Sequence, residues 1–135
     1  MGEDEAALLI VDAANVVGSV PDGWWRDRRG AAERLRDSLV RYAAEGLPGL
    51  PGPVEIVLVV EGAARGVASV PGVDVVSAPG SGDDLIAGLA AAAAPGRECV
   101  VVTADRGLRQ RVEAHGARCV GPRTVRPLPR SEDSP

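Results

Sequence analysis

The stretch Ala7-Leu-Leu-Ile-Val-Asp12-Ala-Ala-Asn15-Val16 decides the fold of this chain. Its apolar run has no polar break and is too short for an ordinary helix, so it predicts a strand buried on both faces and ended by Asp12. Similar runs recur at residues 54–60, 73–77 and 99–103, with a shorter one at 118–120. Helical patterns lie between them. Residues 28–45 put Ala32, Leu35, Leu39 and Tyr42 on one stripe and stop at Gly46, and residues 46–53 read as a proline-stiffened loop. A second helix opens at Asp83, buries Leu85, Ile86 and Leu89, and ends at Pro95-Gly96; a third is expected over residues 106–115. Alternating strands and helices predict an α/β fold, a parallel sheet of about five strands with helices on both faces. In such sheets the ligand site lies beyond the carboxyl ends of the strands.

At 135 residues the chain fits one domain, and 45% hydrophobic with 25% charged residues is a globular composition. The domain is expected over residues 7–122, with a flexible N-terminus over 1–6 and a disordered tail over 123–135, where proline and polar residues dominate. The longest uncharged stretch, residues 85–96, is mostly alanine and too short to span a bilayer, so no membrane partner is expected. Glu3, Asp4 and Glu5 occupy the place where a secretory signal needs positive charge. The cytoplasm is the expected compartment.

A net charge of -4 rules out coating nucleic acid by bulk attraction. The charge is uneven, however: Arg26, Arg28, Arg29, Arg34, Arg36 and Arg41 outnumber Asp27, Glu33 and Asp37 in one short segment. The chain has no lysine, which excludes Schiff-base chemistry, a phosphate-binding P-loop and the receiver-domain site, whose last strand is followed by a lysine. Asp12-Ala-Ala-Asn15 is not the Asp-x-Asp of an aspartyl-phosphate phosphatase, and Gly80-Ser-Gly82 is too short and misplaced for a dinucleotide fingerprint. Cys99 and Cys119, without a CxxC, are expected as buried free thiols. His115 reads as a helix-end residue compensating the dipole.

Acids stand at the strand ends. Asp12 follows the first strand, Glu61 the second, Asp83 and Asp84 the third, and Asp105 the fourth. Singly each has an ordinary explanation: Asp83 could cap a helix, and Glu61-Gly62 could leave a strand into a solvated turn. Together they predict five carboxylates at one edge with no lysine to neutralise them. Such crowding raises carboxyl pKa values unless a cation intervenes, and oxygen-only ligands favour magnesium or manganese over zinc. In the metal-free protein, mutual repulsion is expected to raise at least one of these pKa values.

With those residues in place the chain resembles the NYN subgroup of the PIN-like ribonucleases, in particular its short single-domain bacterial members. The resemblance runs over residues 7–122. It is carried by Leu9-Ile-Val-Asp-Ala-Ala-Asn-Val16, Val59-Val-Glu-Gly62, Gly80-Ser-Gly-Asp-Asp-Leu-Ile86 and Val101-Val-Thr-Ala-Asp-Arg106. It implies that Asp12, Asp83 and Asp105 bind a divalent metal and that Asn15 lines the same pocket. Thr103 would support the site through its hydroxyl, and Arg106 would face the substrate. Two positions depart from the family pattern: Glu61 stands where an aspartate is frequent, and Gly107 where many relatives carry a further acid, which bears on a second metal.

The resemblance makes the substrate RNA, single-stranded, and the reaction metal-assisted phosphodiester hydrolysis that leaves a 5′-phosphate. Glu61 or Asp84 would orient or deprotonate the attacking water. Trp24 and Trp25, with Arg26, Arg28 and Arg29, are expected as a substrate platform in the loop after Asn15, although one indole could instead plug the core. A homodimer and an association with the ribosome are left open. The alternative function is an RNA-binding or interaction module that keeps the cleft without efficient cleavage.

Overall fold

The computed structural model describes residues 6–93 and 95–126. In chain order the elements are β1 (Ala7–Asp12), α1 (Ala13–Gly18), a 3-10 turn at Trp24–Arg26, α2 (Arg28–Glu45), β2 (Gly46–Leu47), β3 (Leu50–Pro51) and β4 (Val54–Val60). There follow β5 (Val73–Ser77), α3 (Gly82–Ala92), β6 (Cys99–Val102), α4 (Arg106–Glu113), β7 (Arg118–Val120) and a 3-10 turn at Pro122–Thr124. Five strands form one parallel sheet in the order β5-β4-β1-β6-β7.

β1 is the centre of the sheet because its side chains are apolar on both faces. Leu9 and Val11 pack with α1 and α2, while Leu8 and Ile10 pack with the helical residues Ile86, Ala90, Leu108 and Val112 on the opposite side. Helices therefore cover both faces, as expected. The chain leaves β1 toward β4 on one side and returns to β6 on the other, so the strand order reverses at β1. A crevice opens at such a reversal, beyond the carboxyl ends of β1 and β6.

Asp27 caps α2 by accepting a bond from the Gly30 amide at 2.9 Å, and Gly46 ends it at φ +75°. A side chain at Gly46 would also meet the Leu50 carbonyl oxygen at 2.3 Å, within the small antiparallel hairpin of β2 and β3. The crossover from β4 to β5 contains no α-helix. Its loop is instead tied to α2: Arg29 donates to the carbonyls of Arg65 and Gly66, and Arg36 to that of Ala68 at 2.9 Å.

Four expectations are corrected. Residues 13–18 are a short helix rather than loop, and the 46–53 linker contains a hairpin. The helix after β5 is capped by Ser81, whose hydroxyl accepts from the Asp83 amide at 3.1 Å, so Asp83 is not its cap. The packed domain also runs beyond Pro122. Val125 is 3% exposed within the α1 and α2 core, and Arg126 donates to the carbonyls of Val16 and Val17 and pairs with Asp22. Residues 127–135 of the expected tail and 1–5 of the expected N-terminus lie outside the described residues, while the Ala6 carbonyl accepts from Arg97. Cys99 is a buried free thiol and Cys119 a half-buried one. Among the described residues no helix is long and apolar enough to cross a membrane.

Placing the boundary after Arg126 has a measurable consequence. Val125→Ala is expected to lower unfolding stability by about 1 to 2 kcal/mol, the transfer value of two buried methyl groups. Denaturant titration reads this directly, and a change below about 0.5 kcal/mol would return the boundary to Pro122.

Candidate active site

Register brings the first two site residues together. Val11 pairs with Val102, so the next residues, Asp12 and Ala-flanked Thr103, emerge side by side at the reversal of the strand order. Thr103 is fully buried and donates its hydroxyl proton to Asp12 Oδ2 at 2.9 Å. Asp12, 5% exposed, accepts from the Asn15 amide on Oδ1 at 3.3 Å and so caps α1. The Asn15 side-chain oxygen accepts from the Ala104 amide at 2.8 Å, which stitches α1 to the turn after β6. The Asp105 amide donates to Thr103 Oγ1 at 3.1 Å, while the Asp105 carboxylate caps α4 through the Leu108 amide at 2.8 Å. One hydroxyl thus links the two acids.

Glu61 arrives from the other neighbour of β1. Its Oε1 accepts from the Gly82 amide at 2.7 Å, at the first residue of α3. A Cβ on Gly82 would lie 2.3 Å from that oxygen, so a larger residue would make the Glu61 carboxylate shift. This role of Gly82 was missed in the sequence, where Gly80-Ser-Gly82 reads only as a turn. Asp83, half-buried, follows directly. Asp84 does not join the group: its exposed carboxylate pairs with Arg111 of α4 at 3.0 Å. Successive helical residues diverge by about 100°, so adjacent acids cannot share one face.

Burial is the first cause of the shifted acidities. It pushes the Asp12 carboxyl up to about 6, with Asp83 and Glu61 adding repulsion against the lowering bonds from Thr103 and Asn15. Asp83 is raised too, again by burial first, then by Asp105 and Glu61, with Arg111 opposing. The expectation of a raised carboxyl holds, while repulsion, its expected cause, comes second to desolvation.

The donor chemistry fits a hard divalent cation. Asp12, Glu61, Asp83 and Asp105 offer only oxygen, three of them are anchored by donors from the fold, and each retains acceptor capacity. They do not already form a coordination shell: among the described residues no three His, Cys, Asp or Glu side chains stand close enough to hold an ion.

A cleft of about 160 Å³ extends from Glu61 and Gly62 across Ala13 and Val17 to Trp24 and Arg28. The expected platform is divided. Trp24 packs partly against the core with the Arg28 guanidinium 5.3 Å from its ring centre, whereas Trp25 is 50% exposed with Arg26 at 5.9 Å. Arg29 does not belong to the platform, since both its terminal nitrogens are bound to the loop after Glu61. Arg106 is exposed at the first position of α4, beside Asp105.

No protein-family model matches the sequence, and no curated protein matches it. Among solved structures, the Rae1 (YacP) protein of Bacillus subtilis superposes with a TM-score of 0.70 at 20% identity, over 87% of this chain and 70% of that one. A tryptophan-to-leucine mutant of the same protein gives 0.69 at 20% identity, over 88% and 72%. The likeness shows the fold: the chain shares its α/β architecture, a five-stranded parallel sheet flanked by helices, with that protein.

The raised pKa of Asp12 predicts how stability varies with pH. A folded-state value near 6 against an ordinary 3.8 means that the folded protein holds more protons in that interval. Metal-free stability should therefore fall as pH rises from about 4 to about 6, by roughly 2 to 3 kcal/mol, and stay low above it. Asp12→Asn keeps a cap and partners for Thr103 and Asn15, so it should melt higher than the parent at neutral pH in EDTA and lose that slope. A lower melting temperature in EDTA would show that the Asp12 charge is not strained.

Proposed function

We propose that this chain is a divalent-metal-dependent ribonuclease of the NYN subgroup, cleaving single-stranded RNA in the cytoplasm. The observation that carries the reading is the arrival of Asp12, Glu61, Asp83 and Asp105, from four separate segments, at the reversal point of a parallel sheet. Asp12, Asp83 and Asp105 would hold magnesium or manganese, which supplies Lewis acidity toward the scissile phosphate and lowers the pKa of the attacking water. The likeness to Rae1 supports the architecture on which this chemistry would be built.

The remaining work falls to the chain's own groups. Thr103 and Asn15 fix the Asp12 carboxylate at the end of β1. Glu61, held on one oxygen by Gly82, presents the other to orient or deprotonate water; Asp84, engaged by Arg111, leaves that role to it. Attack of water on phosphorus, with departure of the 3′ oxygen, leaves a 5′-phosphate and a 3′-hydroxyl. Trp24 and Trp25 offer faces on which bases stack, and Arg26, Arg28 and Arg106 offer cations to phosphates.

A second reading, an RNA-binding or interaction module without turnover, is favoured by one observation. The acids do not stand together as a finished ion shell among the described residues, so binding would have to close it.

Cleavage of a labelled, unstructured RNA by EDTA-treated protein should return with magnesium or manganese. Asp12→Asn, Asp83→Asn and Asp105→Asn should each reduce it by about 100-fold or more. Magnesium should also raise the melting temperature of the parent and do so much less for the variants. Undiminished cleavage by two of these variants rejects the assignment; a magnesium-dependent melting shift without any cleavage selects the binding module.

The two tryptophans should separate in the same binding assay. Trp25→Ala is expected to weaken RNA binding by about 1 to 3 kcal/mol with unchanged stability, because its ring is exposed. Trp24→Ala should lower both affinity and melting temperature. If Trp25→Ala binds like the parent, the platform is Trp24 alone.

A further inference from the structure

Outside the cleft beside Glu61, a groove of about 350 Å³ runs between α2 and the segment after β7, lined by Arg34, Ser38 and Arg41 of α2 and by Asp22, Val125 and Arg126. We propose that this groove is a second RNA-binding site that tracks the phosphate chain of the strand leaving the cleft. The proposal rests on the ribonuclease reading for the identity of its ligand.

Helical spacing sorts the arginines of α2. Positions seven apart nearly eclipse, while positions five apart diverge by about 140°. Arg29 and Arg36 are such an eclipsed pair, and both are tied to the β4–β5 loop. Arg34 and Arg41 are the other, and both are exposed at the groove. The Arg34 side chain has no hydrogen bond or ion pair among the described residues. Arg41 lies over the Tyr42 ring, 4.8 Å from its centre, and spends one nitrogen on the Tyr42 hydroxyl at 2.9 Å, which orients it and leaves its other donors open.

The lining acid, Asp22, is already paired with Arg126, which is also held by the carbonyls of Val16 and Val17. Glu45, a turn beyond Arg41, is the acid that acts on that guanidinium. The groove therefore keeps a positive wall over a floor of buried Leu35 and Val125. Arg34 and Arg41 stand two turns apart, about 10 Å along the axis, so the positive charge is spread along the groove rather than gathered at one end. An occupant that carries phosphates in series with less polar material between them, a nucleic-acid strand, matches that charge and that floor. α2 supplies the direction, since the same helix lines the cleft with Arg28 and reaches the groove one and two further stretches along.

The test is equilibrium binding by fluorescence anisotropy in EDTA, with unstructured RNAs of about 15 and about 4 nucleotides. Arg34→Gln/Arg41→Gln should bind the longer RNA about tenfold more weakly, and the slope of log affinity against log salt should fall by about 1.4. The shorter RNA, which fits the cleft alone, should bind as it does to the parent. Arg34→Lys/Arg41→Lys retains both charges and should retain the parental slope. Parental affinity and slope for the longer RNA in the glutamine variant, or an equal loss on the shorter one, overturns the proposal. Cleavage of the shorter RNA by the parent in magnesium tests the nuclease reading independently, and a parent that binds neither RNA removes both.

Discussion

A carboxylate buried at the end of the central strand is the constraint around which this molecule is arranged. Asp12 is almost fully enclosed, so each of its oxygens needs a donor. One donor is the Thr103 hydroxyl from the end of β6; the other is the Asn15 amide in the first turn of α1. Satisfying that one group fixes the entry of α1 and locks β1 to β6 at their carboxyl ends. Thr103 passes the constraint on to Asp105, and Asn15 passes it to Ala104, so the turn leading into α4 is set by the same network. The site and the scaffold are consequently not separable here.

The fold was legible because its signal is repeated. Apolar runs at β1, β4, β5 and β6 and the stripe of α2 leave little freedom in the class of architecture, and the strand-end acids follow from the sheet's polarity. What escaped the sequence is local. Ala13–Gly18 is a helix of less than two turns, too short to display a period, and exists because Asp12 caps it. The β2 and β3 hairpin holds in a segment whose prolines and glycines read only as loop. Asp83 and Asp84 look equivalent in one dimension, yet one faces the acids and the other pairs with Arg111, since a helix turns between them. The packing of Val125 depends on a surface made by α1 and α2, for which a polar, proline-containing terminus gives no local signal.

The arginine-rich segment shows why net charge says little about use. Six arginines between residues 26 and 41 look like one basic patch, and the structure assigns them different tasks. Arg29 and Arg36 replace the missing crossover helix by pinning the β4–β5 loop, and that loop begins at Glu61. Arg26 and Arg28 stand over the two indoles. Guanidinium suits both kinds of task, because a planar fork can meet two carbonyls or lie over a ring while keeping donors to spare.

The identity of residue 12 distinguishes a site from a scaffold. An asparagine there would cap α1 as well as an aspartate does and could exchange hydrogen bonds with Thr103, without the desolvation that drives this carboxyl up to about 6. Stability therefore gives no reason for the charge. Nor does pairing: among the described residues the charged groups that act on the Asp12 carboxyl are Asp83 and Glu61, and both push its pKa up. Glu61 points the same way, since the Gly82 amide holds its carboxylate where it repels Asp12 and Asp83. Under the proposed function this is what the charge is for: a carboxylate held in place by a fully buried threonine, with Glu61 fixed beside it, would present negative charge to a cation that arrives from outside.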